Sequence, residues 1–204
     1  MRRLVLGLSV VSAFAGLLLF TACERTDVLR VAAVNGGMPV YCDIADWGTY
    51  TDPTDPEAEP EIIYSTHDDT AEFEFQYVEI GAGLPTWTPY HAEIKEYTLS
   101  YESQLSSGYV YEDVTIPMAL TVAVDPEANA STTARLVVAP MWMKDNLFGG
   151  DIGSDPTEGS LLDVVWTEVE FTALDSVSGR KVKGQANIQL EFGDFWDDPG
   201  RIGQ

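Results

Sequence analysis

Basic residues are scarce in this chain. Eleven lysines and arginines stand against 33 aspartates and glutamates over 204 residues, a formal charge of −22. An excess of that sign argues against nucleic acid or an anionic membrane surface as a partner, because both need a cationic footprint. Cationic or metal-bridged partners stay open. Cysteine is scarcer still, with Cys23 and Cys42 alone. No CxxC or CxxCH occurs, so thiol-redox, haem-attachment and zinc-knuckle chemistry have no support. The GxSxG, HExxH and P-loop patterns are missing too. Only His67 and His91 are present as bases for neutral pH, and neither stands near a nucleophile motif. A carboxylate pair could hydrolyse glycosides, but among 33 acids no pair is singled out. The expectation is a protein that is not an enzyme. Repeats, coiled-coil heptads and a convincing amphipathic helix are also lacking, and there is one long hydrophobic run.

That run covers residues 4–22 behind Met1-Arg2-Arg3, and it holds no charge. Its length suits a membrane helix. Its ending, LLLFTAC at residues 17–23, suits a leader instead: two small residues stand before Cys23, and polar Glu24-Arg25-Thr26-Asp27 follows. These residues resemble the lipobox of bacterial lipoproteins, with Phe20 where leucine is usual. The resemblance covers only the first two dozen residues and implies acylation of Cys23 and cleavage before it. Two or more acyl chains give stable anchoring. It further implies a bacterial cell-envelope address, and Glu24 favours the outer membrane if the cell is Gram-negative. Loss of Arg2 and Arg3 with the leader makes the remaining chain two units more negative than −22. Cys42 then has no partner within the chain and is expected as a small buried hydrophobe.

Beyond the leader the dominant signal is period-two alternation, the mark of strands with one buried face. Val182, Gly184, Ala186, Ile188, Leu190 and Phe192 alternate with Lys183, Gln185, Asn187, Gln189 and Glu191. Val165, Val169, Phe171 and Ala173 do so before them, and the intervening Ser176-Val177-Ser178-Gly179 predicts a hairpin. Ile116 to Val124, Phe73 to Tyr77, and Tyr97 to Tyr101 are further one-faced series. A change of apolar phase after Tyr77 predicts a bulge there. Asn35-Gly36-Gly37 predicts a second hairpin, between residues 28–34 and 38–42. Eight or nine strands predict an all-β fold: a single antiparallel β-sandwich over residues 28–196, immunoglobulin-like or fibronectin-like, with a jelly roll as the alternative. Residues 23–27 form a lipidated tether and residues 197–204 a polar tail.

Two loops and one aromatic cluster are the candidate sites. Residues 43–61 carry seven carboxylates and three prolines and read as an extended loop; residues 146–160 are rich in glycine and acid. Asp151, Asp155 and Glu158 in the second loop are the candidate ligands for calcium, a hard cation that takes six to eight oxygens, although no EF-hand pattern is present. No other cofactor is expected. Trp87, Tyr90 and His91 in LPTWTPYH form a candidate glycan platform, with Tyr109, Tyr111, Trp142 and Trp196 as further aromatics. Against this stands the commoner use of aromatics, filling and capping β cores. The whole reads as a lipid-anchored envelope protein that binds or assembles with another envelope or extracellular component, such as an envelope protein. A carbohydrate-binding module for an envelope polysaccharide is the alternative.

Overall fold

The computed structural model describes residues 26–50, 61–80, 91–123, 131–152 and 160–195, with 53, 54, 57 and 59 of one loop. Ten strands and one helix follow in order: β1 (Thr26–Val34), β2 (Val40–Asp43), β3 (Asp46–Tyr50), β4 (Glu61–Ser65), β5 (Asp69–Ile80), β6 (His91–Ser103), β7 (Val114–Ala123), β8 (Thr132–Ala139), α1 (Met141–Ile152), β9 (Ser160–Asp175) and β10 (Lys181–Asp194). A three-stranded sheet has the order β1-β5-β8, a five-stranded sheet β2-β10-β9-β6-β7, and β3 pairs with β4 alone. The expected all-β character holds, with one helix added.

Alternation explains the strands. Along β9 every second residue from Asp163 to Asp175 is buried, and in β5 Ala71, Phe73, Phe75 and Tyr77 are buried between polar neighbours. The apolar faces of the two sheets meet at Phe171. Its ring packs edge-on to Phe73 at 5.5 Å and Phe75 at 4.9 Å from the facing sheet, and tilts against Tyr97 at 6.0 Å within its own. Such pairs add about 0.5–1.5 kcal/mol each beyond the area they bury. Tyr97 and Tyr101 also cross between sheets, donating their hydroxyls to the Val137 and Val138 carbonyls at 2.9 and 3.0 Å.

The hairpin expected around Gly179 forms: β9 and β10 run antiparallel from Lys181 opposite Leu174. Gly179 takes φ +66°, a conformation that favours glycine. The hairpin expected at Asn35-Gly36-Gly37 does not form. β1 pairs with β5, and the turn carries the chain across to the other sheet, where β2 lies parallel to β10. Asn35, Gly36 and Gly37 all have positive φ, and the Asn35 amide donates to the Met38 and Pro39 carbonyls. A longer partner for β1 outweighs the local turn signal. The five-stranded sheet is therefore mixed rather than purely antiparallel.

The bulge expected at Tyr77 lies instead on the neighbouring strand, between Val31 and Ala33. Residues 43–61 are not one extended loop, since β3 occupies Asp46–Tyr50 and pairs with β4. Tyr109 and Tyr111 lie in an irregular segment before β7.

The helix had no readable amphipathic stripe because its buried positions are Met143, Lys144 and Phe148, while Met141 and Trp142 are exposed. Its start is capped from far away: the Met141 amide donates to Asp68 Oδ1 at 2.7 Å. A cap supplied by a distant residue leaves no local signature.

At Gly184 the crossing strand β1 comes so close that an added Cβ would lie 2.9 Å from the Leu29 carbonyl oxygen, a backbone atom. Gly184→Ala is therefore expected to force β1 away from β10 and cost about 1–3 kcal/mol. A urea denaturation curve of the variant checks this.

Candidate functional site

The polar chemistry of the described residues gathers at one end of the sheets, where α1 meets the segment between β4 and β5. Three contacts fasten them: Asp68 caps Met141, Thr66 Oγ1 donates to Asp145 Oδ1 at 2.9 Å, and Lys144 Nζ lies 3.0 Å from Asp69 Oδ2. Lys144 is 1% exposed and also donates to the Asp43 carbonyl at 2.6 Å. A cation so deeply placed is tolerated because both partners are fixed.

Above this joint lies a cleft of about 390 Å³ lined by Tyr64, Ser65, Thr66, His67, Met141 and Asp145, among others. His67 Nε2 stands 3.2 Å from Ser65 Oγ and 3.4 Å from Asp46 Oδ2. The residues are those of a hydrolase triad, but the geometry differs. Hydroxyl and carboxylate meet the same ring nitrogen, whereas a proton relay places them on opposite nitrogens. Asp46 and Ser65 are register partners on β3 and β4, so the imidazole ties that hairpin together. Tyr64 is half exposed at the cleft and tilts against Trp47 at 5.4 Å.

Asp43 is the unusual acid here. It is 7% exposed; Oδ1 accepts from the Phe195 amide at 3.2 Å, and Oδ2 has no hydrogen-bond partner. Burial above all, with Asp46 and Asp194 nearby, pushes its carboxyl up to about 7 against the opposing Phe195 amide and Lys144. Cys42, fully buried as expected, has its thiol pushed up by the same desolvation.

Two other buried carboxylates sit near the ends of β9, each caging a turn. Asp163 is fully buried and accepts from Ser103 Oγ, Ser107 Oγ, Tyr111 Oη and the Val164 amide, all within 2.9 Å. Tyr111 thereby packs inward on Phe192, and Tyr109 packs edge-on to Phe148. Burial raises the Tyr111 hydroxyl well above its usual range. These two tyrosines cap the core. At the far end, Asp175 Oδ1 accepts from the Val177 and Ser178 amides and from Ser178 Oγ, while Tyr77 donates to Oδ2 at 2.7 Å.

Cys23, Trp87, Tyr90, Asp155, Glu158 and Trp196 lie outside the described residues. Asp151 falls within α1, not in a loop. His91 opens β6, and its backbone is tied to the β9–β10 turn: its amide donates to Ser176 Oγ and its carbonyl accepts from the Ser176 amide. Trp142 is 47% exposed on α1. Among the described residues no group of three or more His, Cys, Asp or Glu is arranged to hold a metal ion. The sequence did not single out Lys144, Asp163 or Asp175. Asp163 and Asp175 do stand in phase with the apolar face of β9, which was the available signal.

No protein-family model matches the chain, and neither a curated protein nor a solved structure matches it.

Two outcomes follow from the joint. Lys144→Met takes the buried ammonium away from the part-buried Asp69 carboxylate and the Asp43 carbonyl and should cost about 1–3 kcal/mol, read by chemical denaturation. Asp43 holds its proton to higher pH when folded than when unfolded. The folded state therefore binds more protons between about pH 4 and 7, and this residue's contribution to stability falls across that window and levels off above it. Asp43→Asn should flatten the stability profile over that window and raise stability at pH 8, by on the order of a few kcal/mol.

Proposed function

We propose that this chain is a lipid-anchored protein of the bacterial envelope whose β domain acts by binding or assembly rather than by turnover. The observation that carries the reading is the spacing at the N-terminus: Cys23, closing the lipobox-like TAC, stands three residues before Thr26, where β1 begins. At about 3.3–3.6 Å per extended residue, such a tether spans roughly 10 Å. The domain is then held against the membrane with little freedom to roam. The absence of a relay at His67, where Ser65 and Asp46 share one nitrogen, supports binding over catalysis.

For the domain we propose an immunoglobulin-like sandwich. Counted in chain order, with the β3–β4 pair as an insertion, the strands give A-B-E for β1-β5-β8 and C′-C-F-G for β7-β6-β9-β10. A jelly roll pairs its strands differently. Loops at the ends of such a sandwich are the usual contact surface. Here strand addition along the β7 edge is hindered, because β7 carries Pro117 beside its register shift. The acidic end around α1, furthest from the tether, is the surface we assign to a cationic envelope partner.

A carbohydrate-binding module is the second reading, favoured by half-exposed Tyr64 beside the polar cleft. Tyr64→Ala would abolish retention on envelope polysaccharide under that reading and leave it unchanged under the first.

Intact mass of the N-terminal peptide from membranes tests the anchor. The expected species begins at Cys23 with diacylglycerol on its sulfur, and Cys23→Ala should release the domain from the membrane fraction. A peptide still beginning at Met1 would sink the proposal.

A further inference from the structure

The helix α1 turns two faces outward. Met141 and Asp145, four residues apart and so on one face, line the cleft at His67. Trp142, Met143, Asn146 and Leu147, further round, line a second groove of about 240 Å³ together with Val110 and Glu112. Alternation in the segment before β7 builds that opposite wall. Tyr109 packs on Phe148 and Tyr111 donates to Asp163, so both point inward. Val110 and Glu112 are left outward, and Val110 is 78% exposed. Ser103 and Ser107 also bond the buried Asp163, so the wall is held in place before anything binds.

The groove joins apolar surface to a single charge. Val110, Met143, Leu147 and the half-exposed Trp142 indole supply the first, Glu112 the second, and Asn146 adds an amide. Among the described residues Glu112 has no ion pair or hydrogen bond, and neither has its neighbour Asp113. Trp142 has no ring partner there either. The one cation of α1, Lys144, is 1% exposed and bound to Asp69 and the Asp43 carbonyl, so it does not neutralise the groove. Arg135 stands on β8 opposite Glu72, and no described cation lines the groove.

These walls select their occupant. An anion is repelled by Glu112, and a neutral apolar group leaves that carboxylate unanswered. An ammonium on an aliphatic stem answers both, since such stems lie along apolar surface while the charge stays at its rim. The indole face attracts the same cation. A volume of about 240 Å³ falls below the roughly 300–1,000 Å³ that takes a drug-sized ligand, so one side chain fits and a larger molecule does not. A lone carboxylate beside an amide oxygen suits the compact ammonium of lysine better than the flat fork of arginine. We propose that this groove is the socket for one lysine side chain of a protein partner, its stem on Val110, Leu147 and Trp142 and its ammonium on Glu112. The inference rests on the reading of the acidic end as the surface for a cationic partner, and names the group that surface receives.

The test uses the full-length protein extracted from membranes in detergent, with its five tryptophans replaced by 5-fluorotryptophan. Trp142→Phe assigns the Trp142 fluorine resonance. At constant ionic strength, Nα-acetyl-lysine amide should move that resonance and leave the other four in place. Each methylene lost, from lysine to ornithine to diaminobutyrate, should weaken binding about fourfold. Norleucine amide, with the stem and no charge, and glucosamine, with a charge and no stem, should bind several-fold more weakly. Glu112→Gln should cost the lysine amide about two- to fivefold, the worth of an exposed ion pair. A Trp142 resonance that stays still overturns the proposal, as do equal shifts at all five tryptophans or an affinity indifferent to stem length. So do glucosamine or norleucine amide binding as well as lysine, arginine amide binding more tightly, or a Glu112→Gln variant that binds like the parent. Hexalysine, followed by calorimetry, separates this from the reading beneath it. Weaker binding to Trp142→Ala than to the parent supports the socket. Equal binding keeps the acidic surface and removes the socket; no binding to the parent removes both.

Discussion

The contact between the two sheets at Phe171 is the constraint on which the other features depend. Its ring reaches Phe73 and Phe75 across the interface and Tyr97 beside it. Strands β5 and β6, one from each sheet, are thereby fixed to one side chain of β9. With β9 held, its ends become fixed reference points. Each is finished by a buried carboxylate that collects the amides and hydroxyls of an adjoining turn. A buried carboxylate is costly unless its oxygens are satisfied. Asp163 and Asp175 meet that condition with short bonds, so they turn a penalty into local rigidity.

Asp43 does not meet it. One oxygen accepts from Phe195 and the other has no partner, close to Asp46 and Asp194. The same chemistry thus serves rigidity near the ends of β9 and leaves a titrating group beside α1. Lys144 holds that region together through Asp69 and the Asp43 carbonyl rather than by neutralising the Asp43 carboxylate directly. The acidic end therefore combines a tightly fastened helix with a carboxyl whose charge changes near neutrality. It is the surface proposed above to meet a cationic partner. It does not build a relay at His67, where two groups compete for one nitrogen.

Much of the strand architecture was legible because burial on one face imposes a period of two that the residues themselves display. Phe73-Phe75-Tyr77 and Val182 to Phe192 were readable in this way, and so was the turn at Gly179. The Asn35-Gly36-Gly37 turn misled because a dipeptide reports backbone preference, not which strand will supply hydrogen bonds. The helix was missed because a buried lysine broke its apolar stripe and its cap came from Asp68. Of the site, the acids were visible as composition only; 33 of them concealed the few that matter.

The sequence by itself determined the alternating strands, the acidic balance and the leader-like N-terminus, because hydrophobic periodicity, charge and short motifs are local properties. Tertiary structure alone decided which acids are buried and satisfied, which cation is hidden, and that Val110, Glu112 and Trp142 line one groove. Those facts depend on which residues distant in the chain meet, and pairing across sheets leaves no trace in local order.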